Sequence, residues 1–312
     1  MKAAQINEYG GVDAIKVVET DKPAIKDDQV LVEVHAASLN PFDTAVREGR
    51  MRSMKELDMP VTLGGDIAGV IADLGENVSG FSIGDKVYGQ ASVFGGGSGA
   101  FAEFAATKAV QIAKTPNNSS FEQAASLPLA GVAALQGLRE HLNLQSGQKI
   151  LVQGGSGGIG TVAIPLAKHF GAYVATTVPP EGMAYAKELG ADEVIDYKSQ
   201  NFNEIVSDYD AVFDLVGGDT LERSIDVLKP GGKAVSTVSK ADEEHAKQRD
   251  VTTIYQGTKV TTEALNQLRE LIEKDALHQN VDKTFSLGEI QKAFKAREED
   301  NTLGKIVIKV KS

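Results

Sequence analysis

Apolar and polar positions follow two different rhythms along this chain. Through the first 115 residues the pattern is short alternation broken by glycine. Gln29–His35 (QVLVEVH) alternates apolar and polar side chains, the period of a half-buried strand. Val61–Gly69 and Asp85–Tyr88 predict further short strands, divided by Gly-Asp and Gly-Glu turns. The GGGSG run at Gly95–Gly99 predicts a flexible loop ahead of the strand-like Ala100–Ala106, either a surface turn or a lid over a cleft. From residue 121 onward helix-like segments alternate with short strands. The strands fall at Lys149–Gln153, Tyr173–Thr177, Val194–Asp196, Ala211–Leu215 and Lys233–Thr237. That alternation predicts a parallel sheet with crossover helices. The last part of the chain predicts a helix at Glu263–Lys274, a strand near Val281–Phe285, a helix at Leu287–Glu299 and a final strand, Lys305–Val310.

The sharpest local signal is KILVQGGSGGIGTVAIPLAKHFGA, which runs from a strand through five glycines in seven residues into a helix. Gly155, Gly157 and Gly160 fit Gly-x-Gly-x-x-Gly. The first glycine allows a tight turn, the second lets backbone approach a pyrophosphate, and the third lets the helix pack close on the strand. The helix then offers unpaired N–H groups and its positive end to phosphate. Alone the motif is weak evidence; after a strand and at the head of a strand–helix series it predicts a dinucleotide site. Gly154, Gly155, Ser156, Gly157, Gly158, Ile159 and Gly160 are the expected loop contacts.

An NAD site has an acid about 20 residues on, at the tip of the next strand, to hold the ribose 2′-OH. Here that tip reads AYVATTVPPEG, with Thr176 and Thr177 in place and no carboxylate before Glu181. Without the acid a 2′-phosphate meets no repulsion, so NADPH is expected ahead of NADH. Thr177 is taken as a cofactor contact, and Lys187, Tyr197 and Lys198 as sources of charge and hydrogen bonds from neighbouring turns. Phe213–Gly218 (FDLVGG) and Ser236–Ser239 (STVS) end strands at the carboxyl edge, where ligands of open α/β sheets lie. Val216, Gly217 and Val238 are therefore expected beside the cofactor.

Composition narrows the partners. A net charge of −11, from 43 acidic and 32 basic residues, disfavours DNA or RNA. No apolar run approaches the ~18 residues of a membrane span, and the first ten residues carry no signal-peptide core. A cytoplasmic setting without membrane is expected. The chain has no Cys and five scattered His, so no metal-ligand cluster shows in the sequence.

The order of parts resembles the medium-chain dehydrogenase/reductase superfamily. The residues that carry the resemblance are Asn40–Asp43 (NPFD), Gly64–Gly69 (GGDIAG), Gly84–Val87 (GDKV), Ala100–Phe104 (AFAEF), Leu127–Leu135 (LPLAGVAAL), Gly154–Gly160, Leu189–Tyr197 (LGADEVIDY), Lys229–Lys233 (KPGGK) and Gly304–Ile306 (GKI). The resemblance implies an α/β protein: a Rossmann doubly wound parallel sheet at 122–262 plus a β-rich GroES-like catalytic domain at 1–121, completed by 263–312. Zinc members hold their metal with Cys, a Gly-His-Glu segment and usually a second Cys. Here the first Cys place reads Asn40, and the segment reads Gly64-Gly65-Asp66, so no zinc is expected. The chain thus looks like a zinc-independent quinone oxidoreductase of the zeta-crystallin-like branch, whose kin often form homodimers.

Under that resemblance NADPH would reduce a quinone, and close kin reduce the C=C bond of enones and alkenals. Such acceptors need position more than acid–base groups, because the negative charge develops on an oxygen that one donor can stabilise. Asn40, whose amide both donates and accepts, is the expected donor to the acceptor. Asp43 is expected to orient backbone or to pair with Arg47. Some relatives carry tyrosines soon after this motif; Ala45 and Met51 stand near those places here, and Tyr255 is taken as the replacement. Three readings stay open: a quinone reductase, an enone or alkenal reductase, and a non-catalytic NADPH-binding sensor or adaptor.

Overall fold

The computed structural model describes residues 1–311; Ser312, the end of the expected 263–312 segment, lies outside the described residues. The chain divides into two compact units. Unit 1 holds Met1–Leu129, Val260–Lys274 and the chain from Gln279 onward, and unit 2 holds Ala130–Lys259 with Asp275–His278.

Unit 1 begins with eight strands: β1 (Lys2–Ile6), β2 (Lys16–Glu19), β3 (Gln29–Leu39), β4 (Val61–Thr62), β5 (Asp66–Leu74), β6 (Lys86–Gln90), β7 (Phe104–Lys108) and β8 (Ile112–Lys114). Helix α1 (Pro41–Arg47) follows β3 and α2 (Phe121–Ala125) follows β8, while α3 (Pro128–Leu135) starts at the end of this stretch and lies mostly in unit 2. Strand β3 is longer than the Gln29–His35 alternation predicts, because Ala36–Leu39 is buried and pairs on both sides. The expected Val61–Gly69 strand is two strands. Gly64, at φ 96°, breaks it, and the two halves enter different sheets.

The Gly95–Gly99 run is a closely packed loop. A Cβ at Gly97 would lie 2.3 Å from the Ala91 carbonyl oxygen, and one at Gly99 would lie 2.2 Å from that of Thr62. These glycines serve close backbone packing, tied by Gly97 N–H to Ser92 O and Gly99 N–H to Ala91 O. The Ala100–Ala106 strand correspondingly starts only at Phe104.

Unit 2 carries β9 (Lys149–Gln153), α4 (Gly160–His169), β10 (Tyr173–Val178), α5 (Met183–Glu188), β11 (Glu193–Asp196), β12 (Tyr209–Asp214), α6 (Asp219–Ile225), β13 (Leu228–Ser236), α7 (Glu243–Gln248) and β14 (Thr252–Tyr255). All six strands are parallel, in the order β11-β10-β9-β12-β13-β14. Counted from β9 this is 3-2-1-4-5-6, the doubly wound dinucleotide-binding order. Apolar residues at 0–1% exposure (Leu151, Ala175, Ile195, Val212) run through its centre, as buried parallel strands require.

The chain then returns to unit 1 with α8 (Thr262–Glu273), β15 (Val281–Ser286), α9 (Ile290–Glu299) and β16 (Lys305–Lys309). Helix α8 buries Leu265, Leu268 and Ile272, spaced three and four apart. Strand β16 pairs antiparallel with β3, so residues at the two ends of the sequence share one sheet, ordered β15-β16-β3-β5-β6-β8 with β7 on β3. The division at Leu129 lies eight residues beyond the expected 121, because α2 packs on β3, β5, β6 and β16 of unit 1.

Candidate functional site

Two polar constructions stand out, one in each unit. In unit 2 the strand β9 ends at Gln153 and the chain turns at Gly154, φ 78°. Gly155 N–H donates to Thr177 O at 3.0 Å, and Gly154 N–H donates to Thr177 Oγ1 at 3.3 Å. Thr177, 3% exposed, in turn donates to Gln153 Oε1. Gln153 Nε2 reaches Ser224 Oγ of α6 at 2.9 Å. Thr177 therefore braces the loop from beneath rather than pointing out at its tip. Thr176 is fully buried on the Val152 carbonyl at 2.7 Å. The exposed rim is made instead by Glu181, Tyr197 (53% exposed) and Lys198, whose ammonium lies 3.8 Å from Glu181.

The three motif glycines separate by what a side chain would meet. A Cβ on Gly155 would sit 2.0 Å from Thr176 Oγ1, and one on Gly160 would sit 2.4 Å from Gly154 O. Both are demanded by the fold itself. A Cβ on Gly157 would meet nothing nearer than Gly154 O at 3.5 Å. Gly157 is therefore open at the head of α4, where Thr161, Val162 and Ala163 N–H already bond to Gly157 O and Ile159 O at 2.8–3.0 Å and the backbone of Gly158, Ile159 and Gly160 is left to face a ligand. That cradle fits a pyrophosphate.

Asp214, which the sequence reading passed over, organises the neighbouring strand end. It is fully buried and accepts from Ser236 Oγ at 2.6 Å, Val216 N–H at 3.2 Å and Gly217 N–H at 3.0 Å. Val216 and Val238, each 49% exposed, flank the result, and Gly154 lies against Val216. Gly154–Gly160, Thr177, Val216, Gly217 and Val238 thus gather at one carboxyl edge. Tyr197 and Tyr255 close the ends of β11 and β14, five strand spacings or ~24 Å apart. Tyr255 is 53% exposed beside Ser236 in the register.

In unit 1 the ends of β3, β5 and β16 converge on a buried charge cluster. Ser38 faces Asp66 and Leu39 faces Ile306 in the register, which brings Asp66, Asn40 and Lys305 together. Asn40 caps α1 ahead of Pro41, and its backbone N–H donates to Asp43 Oδ2 at 2.7 Å. Its side chain is 4% exposed, with Nδ2 donating to Asp66 Oδ2 at 2.9 Å and Oδ1 accepting from Lys305. Lys305 also donates to Leu39 O at 3.1 Å. Asp66 takes further bonds from Ser38 Oγ at 3.3 Å and Leu129 N–H at 3.2 Å. Asp43 does not pair with Arg47, whose guanidinium instead holds Glu48 at 2.7 Å and Glu298 at 2.8 Å. A Cβ at Gly65 would find Gln90 Nε2, Ser92 and Asp43 Oδ1 only at 3.7–3.9 Å, ordinary contact with room for a side chain.

Burial sets the electrostatics of this cluster. It pushes the Asp43 carboxyl up to about 7 against the pull of the Asn40 N–H, and the Asp66 charge adds in the same direction. Burial also raises Asp66, opposed by the Lys305 charge and by the donors on its oxygens. The Lys305 ammonium is pulled below the usual lysine range by burial, and Asp66 and Asp43 counter that pull. Among the described residues no group of three or more His, Asp and Glu could hold a metal ion. No described helix is long and apolar enough to cross a membrane.

With this geometry in hand, likeness to known proteins becomes informative. Residues 26–117 match the alcohol dehydrogenase GroES-like domain family and residues 189–308 the zinc-binding dehydrogenase family. Over 75% of its length the chain is 41% identical to the 2-methylene-furan-3-one reductase of Solanum lycopersicum, covering 61% of that protein. It is 40% identical over 76% of its length to the chloroplastic NADPH-dependent alkenal/one oxidoreductase of Arabidopsis thaliana, covering 62% of it. The chain therefore spans about three fifths of the length of these two relatives. The quinone oxidoreductase of Homo sapiens is 31% identical over 75% of this chain and 72% of its own. Among solved structures, the quinone oxidoreductase of Coxiella burnetii superposes with a TM-score of 0.92 at 36% identity, covering 100% of this chain and 99% of that one. The Escherichia coli quinone oxidoreductase complexed with NADPH gives a TM-score of 0.90 at 26% identity, covering 99% and 100% of the two chains.

Proposed function

We propose, for a chain that belongs to the quinone oxidoreductase family of the medium-chain dehydrogenase/reductase superfamily, an NADPH-dependent, zinc-free reduction of a quinone. The observation that carries the reading is the open backbone at Gly157 in a loop whose other two motif glycines are fixed by packing. The loop N–H groups of Ser156, Gly158, Ile159 and Gly160 hold the pyrophosphate, while that of Gly157 bonds to Gly154 O at 3.2 Å and fixes the turn. Thr177 keeps the loop in shape, and Tyr197 and Lys198 on the rim take the ribose phosphate. Val216, Gly217 and Val238 offer a partly apolar wall that sheds water. Bound there, NADPH supplies a hydride. The residues at the place where zinc relatives bind metal do not suit zinc: Asn40 presents its oxygen to an ammonium and Gly65 presents no ligand.

A second reading, reduction of the C=C bond of an enone or alkenal, draws support from the 40–41% identity to the two plant reductases. Hydride transfer to either acceptor leaves charge on an oxygen. Asn40 and Tyr255 are the candidate polar groups for that oxygen, Asn40 as an amide donor and Tyr255 as an exposed phenol. A cytoplasmic homodimer belongs to the same proposal.

The test is loss of reduced-nicotinamide absorbance with NADPH and with NADH against a para-quinone, an ortho-quinone, an enone, an alkenal and a simple aldehyde, with and without chelator. Fast, chelator-resistant NADPH oxidation by quinones is expected. Faster turnover of enone or alkenal moves the protein to the second reading. NADPH binding with no turnover on any acceptor overturns both in favour of a sensor or adaptor.

A further inference from the structure

Among the described residues, Lys305 is the one lysine in the buried polar and charged set, 5% exposed in the heart of unit 1. Burying an ammonium is costly unless its donors are filled. Two of its bonds go to Leu39 O and Asn40 Oδ1, with the Asp66 and Asp43 carboxylates as counter-charges. This fixes which way the Asn40 amide faces. An ammonium only donates and an ionised carboxylate only accepts, so Oδ1 must meet Lys305 and Nδ2 must meet Asp66. A flipped amide would press its NH2 against the ammonium. One Nδ2 hydrogen is committed to Asp66, which leaves the other to offer. A cation bonded to an amide oxygen also polarises the amide and strengthens its N–H donors.

We infer that Lys305 is a positioning residue for Asn40, holding and polarising its amide so that the second Nδ2–H stabilises the carbonyl oxygen of the acceptor as charge develops there. The inference rests on the acceptor reduction proposed above. It gives the chain a buried cation that acts on the acceptor through an amide instead of touching it. Neither Asn40 nor Lys305 need exchange a proton for this role.

The test removes the charge pair as a pair, Lys305→Met with Asp66→Asn, because removing the lysine alone would leave carboxylates buried without a counter-ion. In the folded double variant kcat should fall about 10-fold on an enone and less on a quinone, whose oxygen tolerates charge better. NADPH affinity should be unchanged. In an Asn40→Ala background the same pair of changes should cost no more than about 2-fold. Equal losses on both acceptors, or full additivity with Asn40→Ala, would show that Lys305 is only structural. A measurement on the unaltered protein stands beside this in case the double variant does not fold. The side-chain amide signals of Asn40, identified by their absence in Asn40→Ala, should shift when a saturated cyclic ketone is added as a non-reducible carbonyl probe. Unmoved signals at saturating ketone overturn the inference. A wild type that turns over none of the acceptors with NADPH defeats the acceptor reading instead, and this is seen before any substitution is made.

Discussion

The glycine loop of unit 2 and the Lys305 cluster of unit 1 are both polar, and they are built in opposite ways. The loop is made of backbone, and a side chain at Gly157 would meet no protein atom nearer than Gly154 O at 3.5 Å. The cluster is made of side chains and closes on itself, with Asn40, Asp43, Asp66 and Lys305 all at or below 5% exposure. A loop without side chains lets a ligand approach its backbone closely. A site in which buried charges satisfy one another holds its members in a single arrangement and shifts their protonation.

The sharpest way to break the contrast is to unbalance the cluster. Lys305→Met alone should destabilise the protein by about 3–5 kcal/mol, while adding Asp66→Asn should recover most of that loss. Urea midpoints of the two variants decide it, and equal midpoints would mean that the charges are not energetically paired. Next in size comes Gly155→Val, whose Cβ would fall 2.0 Å from Thr176 Oγ1. It should lose about 1–3 kcal/mol or more by overpacking, seen as a lowered thermal midpoint.

The pH dependence sharpens the comparison further. Asp43 sits at about 7 in the folded chain, above its unfolded value of about 3.9, so the native state holds an extra proton between the two. Its contribution to stability is full below the unfolded value and is lost as pH rises through about 7. Asp43→Asn should flatten the fall in urea midpoint between about pH 4 and 7, and an unchanged profile would remove Asp43 as its source. The smallest effect belongs to the rim. Glu181→Gln should release Lys198 from its exposed pair and tighten NADPH relative to NADH by a few-fold, in keeping with about 0.2–1 kcal/mol for such pairs.

The two regions also differ in how far the sequence reveals them. The loop is local: strand, glycines and helix are contiguous, and β9 begins and ends where the periodicity predicts, at Lys149–Gln153. The doubly wound sheet is legible for the same reason, since each strand–helix unit carries its own signal. Thr177 shows the limit. Its position near the strand tip is readable, but its inward hydroxyl depends on Gln153 of the adjacent strand. Asp214 looked like one more residue in a strand end, and only its bonds to Ser236 and two N–H groups reveal it. Lys305 is 265 residues from Asn40, and the β16–β3 register that joins them is a tertiary fact. The glycines of Gly95–Gly99 mislead because glycine signals both freedom and close approach, and here carbonyls of Ala91 and Thr62 make it the latter.

The most direct test of the account is an equilibrium titration of NADPH into the wild type and into Gly157→Val, with circular dichroism and the thermal midpoint as controls. Because a Cβ at Gly157 has no protein atom nearer than 3.5 Å, the fold should stand within about 0.5 kcal/mol while NADPH affinity falls at least about 100-fold. Unchanged affinity in a folded Gly157→Val protein would contradict the assignment of this loop as the cofactor cradle, and with it the proposed reaction.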